Sequence, residues 1–184
     1  LEFRLVDEQG DAFAAESTEI MFGPGSVIYG SDAIGGVMSF TTLTPQFSST
    51  GKLYAKGNAL TRFASANNEL STHVDLNLGW KKLAMLTSFT YSNFGDLKMG
   101  GHGPDEYLRP FYVQRKDSVD VLITNDNPLK QLPTAYSQVN VMQKLAFKPN
   151  RNWDLIYAFH YSETSSYGRY DRHIQYLNNL PRSA

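Results

Sequence analysis

The residues best suited to holding a haem or a metal ion are the histidines, His73, His102, His160 and His173. No spacing ties them together as a metal site requires, so four ordinary polar positions are the simpler account. The stretch from Gly95 to Tyr136 carries Asp96, Asp105, Glu106, Asp117, Asp120 and Asp126. Oxygen-rich loops can hold Ca²⁺, but EF-hand spacing is absent and solvated loop charge accounts for these residues. The chain has no cysteine, which removes thiolate ligation and disulfides. No Ser-His-Asp or paired-carboxylate arrangement is legible, so catalysis has no support and neither cofactor nor resident metal is expected.

Binding chemistry is more visible. YLRPFYV and SYGRYDRH interleave tyrosine with arginine, a composition suited to a large amphipathic ligand. Solvated loops that seek an interface would have the same composition. His102, Tyr107, Arg109, Tyr170, Arg172 and His173 are the ligand-contact candidates. A second possibility is the Gly-rich stretch from Gly23 to Gly36, with five glycines and a proline in fourteen residues. Its Gly25-to-Gly30 spacing matches the start of a Walker loop, but Ser31 and Asp32 stand where lysine should follow. The dinucleotide fingerprint fails at Ile28. What remains is a tightly turned connection between two strands, Ile20–Phe22 and Val37–Phe40, anchored by Val27, Ile28, Tyr29 and Ile34.

The elements that position these residues are read from alternation. Leu70, Thr72, Val74, Leu76, Leu78 and Trp80 share one parity. Ser71, His73, Asp75, Asn77 and Gly79 share the other, so this segment is a strand with one apolar and one polar face. Four more segments follow the rule less strictly. Lys52–Ala64 sets Leu53, Ala55, Ala59 and Phe63 against Lys52, Lys56, Asn58 and Arg62. Leu83, Met85, Phe89 and Tyr91 oppose Ala84, Ser88, Thr90 and Ser92, with Leu86 an apolar exception on the polar side. Val139, Val141, Leu145 and Phe147 oppose Gln138, Asn140 and Lys144. Trp153, Leu155, Tyr157, Phe159 and Tyr161 oppose Asp154, Ala158, His160 and Ser162. Asn67-Asn68, Lys81-Lys82 and Pro149–Asn152 are short turns, whereas 95–136 shows no clear period and is expected to be a long loop.

The expected strands run to about 10 to 13 residues, the length that crosses a bilayer at a tilt. Short and long connections alternate, as they do in outer-membrane barrels. Trp80, Phe147 and Trp153 fall at one end of the strands, and Phe63, Tyr91, Tyr136 and Tyr161 near the other, as two interfacial girdles would. A soluble antiparallel sandwich burying the same faces is the alternative. Net charge is -1, giving no electrostatic case for nucleic acid. No apolar run is long enough for a transmembrane helix, a test blind to transmembrane strands.

The motif GPGSVIYGSDAIGGV resembles the late plug motif of TonB-dependent outer-membrane receptors. Gly23, Pro24, Gly25, Ser26, Tyr29, Gly30, Ser31, Ala33, Gly35, Gly36 and Val37 carry the resemblance, and Phe22 stands where many members have arginine. The texts GHGPDEYLRPFYVQR and RYDRHIQYLNNLPR resemble members of that family from Bacteroidota grouped with haem, haemoglobin or transferrin uptake. Residues 1–18 do not resemble the family.

The resemblance implies an all-β fragment of a transmembrane antiparallel β-barrel with the last part of its plug domain. Residues 1–42 would end the plug and 43–51 would be a connector. Residues 52–184 would hold the first five or so barrel strands, an external loop at 95–136 and the start of another from 165. No signal peptide is visible at Leu1, and the TonB-contacting box and most of the barrel would lie outside this stretch. The implied function is TonB-dependent uptake of a scarce nutrient of the iron-siderophore, haem or cobalamin class. The implied partners are a TonB-type energising protein, outer-membrane lipid, and a small iron- or metal-containing ligand or its carrier protein. A passive porin-like channel and a soluble sandwich binding module are the alternatives.

Overall fold

The computed structural model describes residues 11–23, 36–117, 119–168, 176–177 and 180–181. The protein is all-β. Its strands are β1 (Ala15–Phe22), β2 (Gly36–Thr42), β3 (Tyr54–Ala64), β4 (Glu69–Gly79), β5 (Leu83–Phe94), β6 (Leu97–Lys98), β7 (Phe111–Lys116), β8 (Val119–Thr124), β9 (Lys130–Gln131), β10 (Tyr136–Phe147), β11 (Leu155–Thr164), β12 (Tyr176–Leu177) and β13 (Leu180–Pro181). Two 3-10 turns, Ala12–Ala14 and Asp105–Tyr107, are the only helical pieces among the described residues. One sheet of five strands has the order β11-β10-β5-β4-β3, with β3 and β11 at its edges.

The burial of β4 follows the sequence period without a break. Glu69, Ser71, His73, Asp75 and Asn77 are buried, while Leu70, Val74 and Leu76 are 44–51% exposed. In β5, Ser88, Thr90 and Ser92 are buried while Leu83, Phe89 and Tyr91 are exposed. This reverses the usual order of a water-soluble sheet, whose apolar face is covered and whose polar face is wet. Leu145, Leu155, Tyr157 and Phe159 are exposed as well.

The chain divides into two compact units, one comprising 1–59, 73–90 and 140–162, the other 60–72, 91–139 and 163–184. In the first, β1 pairs antiparallel with β2, with Thr18 opposite Phe40 and Phe22 opposite Gly36. Gly36 has φ +152°, and a Cβ there would lie 2.8 Å from the Met21 carbonyl oxygen, so the hairpin needs glycine at this point. The apolar core of this unit is small: Ala14, Leu86 and Met142, with Leu43 packed against it. It explains the exception in β5. Leu86 and Met142 point to the polar side because they receive Ala14 and Leu43 from the chain leading into and out of the N-terminal hairpin.

The second unit contains the stretch expected to be a loop without period. It holds a hairpin instead, β7 with β8, running from Phe111 opposite Thr124 to Lys116 opposite Val119. The turn is tight, with Asp117 at φ 45°, a conformation aspartate tolerates. A shorter ladder joins β6 to β9, with Leu97 opposite Gln131. Weak turn chemistry and strands of six residues hid the hairpin, since neither carries a long apolar alternation.

Candidate functional site

In the first unit the polar face of the sheet receives the residues that flank the β1–β2 hairpin. Asp11 caps the first 3-10 turn by accepting the Phe13 amide at 3.0 Å. Its other carboxylate oxygen accepts the Thr90 hydroxyl at 2.6 Å. A carboxylate can only accept, so the Thr90 proton is committed to it, and His73 Nδ1, 2.7 Å from the same hydroxyl oxygen, must be the donor. His73 Nε2 stands 3.4 Å from Asp75 Oδ2. Both Asp75 oxygens accept from Asn58 Nδ2, at 3.1 and 3.0 Å. Phe13 stacks on the His73 ring with centroids 5.6 Å apart. One polar chain thus joins the 3-10 turn to β5, β4 and β3.

The exit from the hairpin is held in the same way. Lys144 on β10 donates to the Thr42 hydroxyl at 2.7 Å and to the Thr42 carbonyl at 3.3 Å. Leu43 N–H bonds to the Ala14 carbonyl at 2.9 Å, and the Thr44 hydroxyl bonds to Glu16 at 3.1 Å. The Gln46 main chain and the Asn77 side-chain amide exchange two bonds, at 2.8 and 3.1 Å. Ser48 N–H bonds to the Trp80 carbonyl at 3.2 Å. The Asn77 and Lys144 bonds satisfy side chains of the sheet with main-chain or polar groups from outside it, which is how buried polar residues are made tolerable.

In the second unit Glu69 is buried and accepts from Arg62 Nε at 2.8 Å and from the Ser71 hydroxyl at 2.7 Å, and Arg62 Nη2 pairs with the same oxygen. Phe94 stacks on Tyr136 at 4.6 Å, and Tyr136 lies against Tyr167 at 5.9 Å. Tyr136 therefore does not belong to the apolar-face girdle expected from sequence. It shares the parity of Asn140 and Met142 and packs on Phe94, which shares that of the buried Ser88, Thr90 and Ser92.

The long connection is organised by a residue that the sequence reading passed over. Asn125 is 5% exposed, and its side-chain amide donates to the Arg109 carbonyl at 2.8 Å and the Lys130 carbonyl at 3.0 Å. Its oxygen accepts the Asn127 amide at 3.1 Å, and its own N–H bonds to the Pro110 carbonyl at 2.7 Å. The signal was the Asn-Asp-Asn-Pro run, whose asparagines hydrogen-bond main chain two residues on. Asp96 closes the base of the connection by accepting from the amides of Thr134 at 2.9 Å and Ala135 at 3.2 Å.

The ligand-contact candidates fall unequally. His102 and Tyr107 are exposed. Arg109 is half-buried, and its guanidinium donates to the carbonyls of Glu106 and Leu108, both at 3.1 Å, which ties it to its own loop. Tyr170, Arg172 and His173 lie outside the described residues, as do Pro24, Gly25, Tyr29, Gly30, Ser31 and Gly35 of the glycine motif. Gly23 has φ +100°. His73 is buried, whereas His160, on edge strand β11, is exposed. Among the described residues no group of three or more His, Asp or Glu is placed to hold a metal ion.

No family model, curated protein or solved structure matches this chain.

Proposed function

We propose that this chain is the end of the plug and the first five barrel strands of a TonB-dependent outer-membrane receptor, which takes up a scarce nutrient of the iron-siderophore, haem or cobalamin class. The observation that carries the reading is the inverted sheet. Strands β4 and β5 run 11 and 12 residues with buried polar side chains on one face and exposed Leu, Val and Phe on the other. Lipid is the solvent that suits such an outer face, and a polar interior suits the inner one. The segments flanking the β1–β2 hairpin bond to the polar face, as the stem of a plug seated inside the barrel would. Exposed Trp80, Phe147 and Trp153 supply aromatics for one membrane interface.

In this reading ligand first meets the connection between β5 and β10, with His102 and Tyr107 as its open side chains and Arg109 shaping the loop. Tyr170, Arg172 and His173 are the contacts proposed on the next connection. Release into the periplasm requires the plug to be displaced by force from the energising inner-membrane partner. The test is uptake by cells carrying the complete receptor, with and without that partner. Uptake should stop without it while ligand binding at the cell surface persists. Uptake that continues unchanged would make the protein a passive channel, and partition into buffer without detergent would make it a soluble sandwich.

A further inference from the structure

The β1–β2 hairpin has arms and a root, and the two are held differently. The arms are open: Ile20, Phe22, Met38 and Phe40 are 54, 90, 55 and 56% exposed. The root is closed on the sheet, with Ala14 at 3% and Ser48 at 8% exposure. Ties of different chemistry hold it. Asp11 ends the hydrogen-bond chain through Thr90 and His73. Ala14 and Leu43 pack with Leu86 and Met142. Lys144 grips Thr42. Gln46 exchanges bonds with Asn77.

These ties reach β4, β5 and β10 side by side, so opening the root breaks them together. It would also strand Asn77, Thr90 and Leu86 on the face they leave. Among the described residues the arms are joined to each other by the β1–β2 ladder, which can open pair by pair from Phe22–Gly36. Segments held by few buried contacts open at lower free energy than those held by many.

We infer that residues 11–14 and 42–48 stay fastened to the barrel wall when the plug is displaced, and that the movable part of the plug ends at this root. The inference rests on the receptor reading for its purpose, since it names which part of the plug leaves the path of the ligand. Asp11, Thr90 and His73 are then positioning residues of the fixed part, and Phe13 stacks on the imidazole.

Amide hydrogen exchange on the complete protein in detergent micelles tests this without ligand or energising partner. Peptides covering 11–14 and 42–48 should exchange with β4 and β5, and those covering the arms should exchange on the order of tenfold faster or more. Thr90→Val keeps the side-chain shape and removes the hydroxyl. It should speed exchange across 11–14 while 42–48 keeps its protection, and Thr90→Ser should keep the protection of both. Root and arms exchanging together in the unaltered protein would overturn the inference, as would Thr90→Val leaving 11–14 protected. The receptor reading fails by a different measurement: uptake that needs no partner would sink it and leave this exchange pattern standing.

Discussion

The Gln46 carbonyl oxygen occupies the space that a Cβ on Gly79 would fill. The same carbonyl accepts from the Asn77 amide, two residues back along β4. Glycine at 79 is thus what lets the connector lie on the sheet, a close-approach role and not a turn role. Gly79→Ala should push the connector off and cost about 1–3 kcal/mol, in the range of overpacking a filled site. Denaturant unfolding of the complete protein in micelles reads the loss. A variant as stable as the parent would mean that the connector is not held there.

The neighbouring pair Asp75 and Leu76 divides the two faces of β4, with Asp75 at 7% and Leu76 at 44% exposure. In the proposed barrel Leu76→Arg should cost roughly 2–4 kcal/mol, as a charge facing the bilayer midplane does. Spin labels at Leu76 and Phe89 should be relaxed by oxygen and shielded from aqueous quenchers, and labels at Asp75 and Ser88 should show the opposite. Reversed accessibilities would place lipid on the wrong face.

The faces of β4 and β5 were legible because period two over eleven residues admits one geometry. The exception at Leu86 was legible only as an exception: its partners, Ala14 and Leu43, lie far off in sequence, and no local pattern announces them. Tyr136 was misread for a related reason. Its position at a strand end suited a girdle, but parity decides the face, and Tyr136 has the parity of Asn140. The β7–β8 hairpin escaped because strands of six residues joined by Asp-Ser give little alternation and no strong turn signal. Asn125 escaped because its work is done on main-chain groups, which a sequence does not display.

Asn125→Ala tests how far the connection depends on that work. The substitution strands the Arg109 and Lys130 carbonyls and the Asn127 amide, at about 1 kcal/mol or more for these half-buried groups. The damage should stay local. Limited proteolysis within residues 100–130 should speed up while the sheet keeps its micelle-bound melting behaviour. Ligand binding should weaken with it, as it should on deleting 100–128, which spares the β6–β9 closure and the Asp96 cap. Binding untouched by both changes would move the contact surface to another loop.

The isolated chain supplies the last prediction. Among the described residues β3 is an edge of the five-stranded sheet, and an open strand edge is a template for association. β3 is exposed over nearly its whole length, and Leu155, Tyr157 and Phe159 on β11 are 47–60% exposed. An apolar face beside an open edge has no solvent in water alone, so these 184 residues expressed by themselves should aggregate. Detergent should slow the association by covering the face but leave the β3 edge free to pair. Sedimentation velocity with and without micelles distinguishes the two contributions. A monomeric chain that melts cooperatively in buffer would mean that the apolar face is covered in water, and would favour the soluble sandwich.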